Sequence, residues 1–222
     1  DVREPVRQEN TTPDDDLVYN DEQEENASGE KKPHGPSAWS CWLRMWATPL
    51  NGFKRMKYGR LKAVDMESAI FYPMIALCAL GAFADKFYFG ATVSHCLIDG
   101  TCKFVAFFVA YFLTFPLSRL LMRRDCAEKM DTPFGHCYVA ALLSTLCLFL
   151  FLYECLPFLE VLLAFTPAYT IYLSYKGMSL FNLPEQRRIS TWVALVLLIV
   201  ALPFLVFQLM GILLPDNIVS KS

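Results

Sequence analysis

From Ile189 to Pro215 the chain runs for 27 residues without one charged side chain. A helix of that length rises about 40 Å, while about 20 apolar residues are enough to cross the hydrocarbon of a bilayer. A soluble domain would have to cover such a helix on every side; a membrane solvates it directly. Four earlier stretches follow the same rule. Residues 68–84 are uncharged, 104–122 carry only Arg119 near the end, 134–153 are uncharged, and 156–175 carry only Glu160 in the first turns. The third and fourth nearly touch. A single helix over 134–175 would far exceed the bilayer, so Glu154, Pro157 and Glu160 mark a tight hairpin. If that turn were buried instead, the count would fall and the last span would reverse. The pattern predicts an all-α, polytopic membrane protein: a bundle of five transmembrane helices with its N-terminus in and its C-terminus out.

Orientation follows from the basic residues. Thirteen Lys and Arg fall before span one, between spans two and three, and between spans four and five, whereas Lys86, Lys103 and Lys221 alone fall on the other side. That bias places the N-terminus in the cytoplasm. Arg119 sits where it can snorkel to the inner interface.

The near-neutral net charge of −2 is a cancellation. Residues 1–36 hold eleven acids against four bases, and the remainder holds eleven acids against sixteen bases. The acidic segment lacks periodic apolar residues and cannot offset the entropy of ordering. It reads as a disordered tail, either a solvated spacer or a docking segment. It carries no signal-peptide pattern, and a start at Asp1 reads as a processed or partial chain. The organisation expected is therefore 1–36 disordered acidic tail, 37–62 interfacial amphipathic segment, 63–215 five-helix transmembrane domain, and 216–222 short C-terminal tail. No strongly basic folded domain exists, which excludes nucleic acid as a partner.

Trp39, Trp42, Leu43 and Trp46 fall on one helical face before Thr48-Pro49 interrupts it. Three indoles on one stripe suit the headgroup region, so these tryptophans are expected to anchor a short helix lying on the cytoplasmic surface. The alternative is that they pack against the protein itself.

Ionisable groups at membrane depth are functional candidates. Glu154 and Glu160 share the outer interface, where two carboxylates could bind a cation or a substrate amine, or could meet headgroup water. Gln208 is a lone polar residue in span five and reads as a helix–helix contact. Cys96 and Cys102 read as sharing an outer loop with a turn at Asp99-Gly100. They would form a small disulfide if the outside is oxidising, and are free thiols otherwise. Pro73, Pro116, Pro167 and Pro203 mark kinks, and the small pairs Ala106/Ala110 and Ala140/Ser144 would allow close helix approach. His34, His95 and His136 lie far apart in sequence, and no catalytic or metal motif is present. Catalytic, cofactor and metal sites are accordingly expected to be absent.

Two regions resemble a family. Thr48-Pro49-Leu50-Asn51-Gly52-Phe53-Lys54-Arg55-Met56-Lys57 looks like the element before the first span of Yip1-domain membrane proteins. The run from Phe71 to Gly81, which begins Phe71-Tyr72-Pro73-Met74, resembles that span in the bacterial, Bacteroidetes-like branch. The run from Thr166 to Tyr172, then Gly177 and Leu183-Pro184-Glu185, resembles the approach to the last span. The likeness covers about residues 48–215. It implies five spans, a cytoplasmic N-terminus and a bacterial inner membrane, and it supplies no catalytic residues. The Asp-Leu-x-Gly-Pro pattern of eukaryotic members is missing, so their role in vesicle traffic is not carried over. The expected function is a non-enzymatic membrane scaffold or interaction protein, with the bilayer and a second copy or another membrane protein as partners. The alternative is a small transporter or channel component using Glu154, Glu160 and the proline-kinked helices.

Overall fold

The structure is a computed structural model that describes residues 37–156 and 160–213, and the side chains of these except for residues 160–164. Among the described residues every regular element is helical. Helix α1 is Ala38–Ala47 and α2 is Pro49–Tyr58. Helix α3 is Ala63–Tyr88, α4 is Val93–Leu121, α5 is Arg124–Met130 and α6 is Pro133–Cys155. Helix α7 is Glu160–Met178, followed by a tight 3₁₀ turn at Ser179–Phe181, and α8 is Glu185–Leu213. Four of these, α3, α4, α6 and α8, are long and apolar enough to cross a membrane.

Proline and threonine set the boundaries. Pro49 opens α2, where its missing N–H costs nothing. Thr132 caps α6 by accepting from the Gly135 N–H at 3.2 Å, with Pro133 in the first turn. Inside the long helices Pro73 and Pro203 cannot bond to the carbonyls of Ala69 and Ile199 four residues back. In both places the helix widens into a single π turn around that carbonyl, Glu67–Phe71 in α3 and Leu197–Ala201 in α8. In α4 the Thr114 hydroxyl, near Pro116, donates to Ala110 O at 2.7 Å.

Helix α6 is the centre of the bundle. Of its most apolar window 67% is buried, against 22% for α8. Its small side chains Cys137, Ala140, Ala141, Ser144 and Cys147 are fully covered and let α3 and α7 close on it. Helix α4 packs along α3 and also touches α6. At Gly100 a Cβ would stand 2.8 Å from Ala79 O, so glycine permits that approach. Helix α8 lies along α4 at the edge, and Phe204, Leu205, Leu209 and Ile212 are exposed there.

Two expectations are corrected. Residues 93–103 are not a loop: α4 begins eleven residues before Phe104, and Asp99 and Lys103 lie within it. Helices α1 and α2 do not stand apart from the bundle either. They form a hairpin that runs alongside α6 and α7. Trp42 is buried and its Nε1 donates to Ala141 O at 3.4 Å. The Trp46 ring stacks on Phe149, and the Tyr169 hydroxyl donates to Trp46 O at 3.0 Å. Farther down, Phe53 packs on Tyr138 at 5.1 Å between ring centroids, and Lys57 Nζ donates to Leu180 O at 2.5 Å. The tip at Thr48-Pro49 thus lies level with the middle of α7, and the mouth lies level with its end. Each arm has ten residues, about 15 Å, or half the hydrocarbon thickness of a bilayer. The arms close because Gly52 meets the Met45 backbone, where a Cβ would come within 2.5 Å of Met45 Cα. Of the three predicted anchors only Trp39 remains largely exposed, at 42%. The indole stripe found protein to pack on, which removes more apolar surface than a headgroup layer would.

Candidate functional site

The ionisable side chains inside the bundle gather at two levels of the seam between α3, α4 and α6. One level is built on Glu154, in the last turn of α6. Lys103 of α4 donates to its Oε1, and Asp99, one turn earlier on α4, stands 3.7 Å from the same ammonium. The Glu154 side chain is only 8% exposed. Its Oε2 is buried and has no hydrogen-bond partner among the described residues. Glycine at position 81 makes room for it, since a Cβ there would lie 2.8 Å from Oε2. An isolated carboxylate in hydrocarbon is expensive, and a cation within hydrogen-bond reach is what keeps it there.

The other level is a connected chain. The Tyr111 hydroxyl, on α4 and fully buried, donates to Glu67 Oε1 at 2.5 Å. The Tyr111 hydroxyl oxygen also lies 3.3 Å from His136 Nδ1 on α6. His136 Nε2 lies 3.4 Å from Asp131 Oδ1, and Arg119 donates to Asp131 Oδ2. The imidazole is stacked on Phe115 at 3.9 Å, which fixes its plane. Glu67 sits at the first position of the π turn in α3, so the widened turn presents it to this seam. The Asp131 end of the chain opens on a cavity of about 400 Å³ lined by Arg119, Arg124, Ala127, Glu128 and Asp131. The Arg119 guanidinium holds the Asp131 carboxyl below the usual carboxylate range, with His136 acting in the same direction.

The sequence candidates are distributed as follows. Glu154 pairs with Lys103. Glu160 opens α7, and its side chain lies outside the described residues. Gln208 is exposed on α8. Cys96 and Cys102 are free, buried thiols of one helix. Six residues of helix separate them by about 9 Å of rise, beyond the reach of a disulfide. Among the described residues no group of three or more metal-ligating side chains occurs.

Glu67, Tyr111 and His136 escaped the sequence reading because no spacing in the chain relates them. They meet only through the mutual register of three helices. One signal was present: Tyr111 carries the only phenol in the apolar run of span two, and a buried phenol requires a partner. Comparison with protein-family models, with curated proteins and with solved structures gives no match for this chain.

Proposed function

We propose that this integral membrane protein is a non-enzymatic scaffold of the Yip1-like type, which shapes the bacterial inner membrane by placing more helix in the cytoplasmic leaflet than in the outer one. The observation that carries this reading is the α1–α2 hairpin, which runs about half the depth of the bundle and has no counterpart on the opposite side among the described residues. A wedge confined to one leaflet enlarges that leaflet's area and favours curvature toward the other.

The five-span count, with the N-terminus in and the C-terminus out, belongs to this proposal. It is supported by where the helix starts lie. Arg187, at the start of α8, pairs with Asp125 of α5 at 2.8 Å, beside the start of α6. Helices α6 and α8 therefore begin at one end of the bundle, and α7 has to return the chain between them. Its 19 residues rise about 28 Å, which matches the hydrocarbon core. The basic loops then share the cytoplasmic face. Self-association is part of the same reading: Gln208 is a polar amide exposed on the outer edge of α8, where a second copy could receive its hydrogen bonds.

Reconstitution at rising protein-to-lipid ratio tests the scaffold. Large vesicles should convert to smaller or tubular ones, and Gly52→Leu, which blocks closure of the hairpin, should abolish the effect. Vesicles of unchanged diameter at every density would overturn it. The second reading, a transporter or channel component, is favoured by the Oε2 of Glu154, a buried acceptor with an unused lone pair beside Lys103. Ion or solute flux into liposomes that disappears in Glu154→Gln would move the assignment there.

A further inference from the structure

We infer that Glu67 and His136 form a single shared proton-binding site, reached from the inner aqueous face and bridged by the Tyr111 hydroxyl. Tyr111 has one O–H and stands between Glu67 Oε1 at 2.5 Å and His136 Nδ1 at 3.3 Å. Asp131 is kept ionised by Arg119 and accepts only, so His136 Nε2 at 3.4 Å must carry a hydrogen to bond to it.

With Nε2 protonated, two complete arrangements exist. In the first, His136 is an imidazolium whose Nδ1–H donates to the Tyr111 oxygen, and Tyr111 donates to an ionised Glu67. In the second, Glu67 is a neutral acid that donates to the Tyr111 oxygen, and Tyr111 donates to the bare Nδ1 of a neutral His136. The two contain the same number of protons. Passing from one to the other moves the Nδ1 proton to Tyr111 and the Tyr111 proton to Glu67, with no co-reactant. If this proton is removed altogether, Glu67 is ionised and His136 is neutral. Either Nδ1 then faces the Tyr111 oxygen without a hydrogen, or Nε2 faces the Asp131 carboxylate without one, and a link is lost. The hydrogen bonds of the chain are therefore complete only when it has taken up one proton.

The surroundings match this assignment. Its charged and titratable neighbours include Cys41 on α1, Asp65 and Tyr72 on α3, Arg119 on α4, Cys137 on α6 and Asp131 in the α5–α6 turn. The Asp131 end faces the cavity of about 400 Å³, which gives protons an entry from water, whereas the Tyr111 end is buried. The site would serve a scaffold as a pH sensor and a transporter as its inner proton station, so it stands whichever reading holds.

Difference infrared spectroscopy of the full chain in lipid nanodiscs across a pH series tests it. In the unmodified chain the imidazolium bands of a histidine and the carboxylic-acid band of a glutamate should appear together, with one midpoint and one proton. Glu67→Gln should remove the carboxylic-acid band. Tyr111→Phe should split the joint step into two separate midpoints while the helical circular-dichroism spectrum is retained. Two separate midpoints in the unmodified chain would overturn the inference by themselves, even if Tyr111→Phe failed to fold. A joint step left intact in a folded Tyr111→Phe protein would overturn it as well.

Discussion

The Trp46 ring lies against Phe149 with centroids 5.2 Å apart and planes 28° from parallel, so the tip of the α1–α2 hairpin is held to the central helix by an aromatic stack. Trp46 also meets Tyr169 at 5.8 Å and Trp42 at 5.5 Å. Because it is only half-buried, Trp46→Ala should cost about 2–3 kcal/mol, below the 3–5 typical of a core aromatic. Its Nε1 is buried without a partner among the described residues. Trp46→Phe keeps the stack and removes that unpaired donor, so it should cost less than about 1 kcal/mol. Thermal unfolding of the two variants in detergent, scored against the unmodified protein, gives the order.

The Lys103–Glu154 pair lends itself to a double-mutant cycle. Removing one partner of a buried pair leaves the other charge uncompensated and typically costs about 3–5 kcal/mol. Lys103→Met and Glu154→Leu should each be strongly destabilising. The double variant should recover most of the loss, since two apolar side chains fill the same seam without either charge. Additive losses in the double variant would show that the pair is not coupled.

Arg60 adopts a left-handed backbone with φ 50°, immediately after Gly59, whose φ is −71°. The glycine precedes by one residue the position that needs its freedom. Arg60→Gly relieves a strain of about 1–2 kcal/mol against about 1 kcal/mol of added entropy in the unfolded chain. The net effect should be neutral to stabilising, read as a melting midpoint equal to or above that of the parent. Arg60→Val, β-branched at the same φ, should melt clearly lower.

The Arg119–Asp131 ion pair has a defined pH window. The Asp131 carboxyl is held below its ordinary 3.8, chiefly by the Arg119 hydrogen bond. A depressed carboxyl contributes its stability above the unfolded value and loses it as pH falls through the folded one. The difference in melting midpoint between the parent and Asp131→Asn should therefore be constant above about pH 5 and shrink below pH 3.8. A difference that grew in acid would reverse the sign of the assignment.

The long helices were legible because hydrocarbon imposes a simple rule: 20 or so apolar residues per crossing. Thus α8 starts at Glu185, four residues from the predicted start at Ile189. What lay at the helix ends was less legible. Asp99 and Lys103 look like loop residues in isolation, yet spaced four apart on α4 they form an ion pair, and Glu154 from another helix makes the site tolerable inside the bundle. The stripe of Trp39, Trp42 and Trp46 identified an amphipathic helix correctly. However, a period of 3.6 says that one face is apolar, not whether lipid or protein covers it. The polar chain at Glu67 depends on the rotation of α3 about its own axis, which a hydropathy pattern does not encode.

That rotation is set by the π turn at Glu67–Phe71. A π turn is one residue more than the helix needs, and each helical residue turns the chain by about 100°. Deleting a single residue between Glu67 and Pro73 would swing Glu67 through that angle, away from Tyr111, while leaving every remaining side chain chemically unchanged. At this point of the chain the number of residues is as much a specification of the protein as their identity.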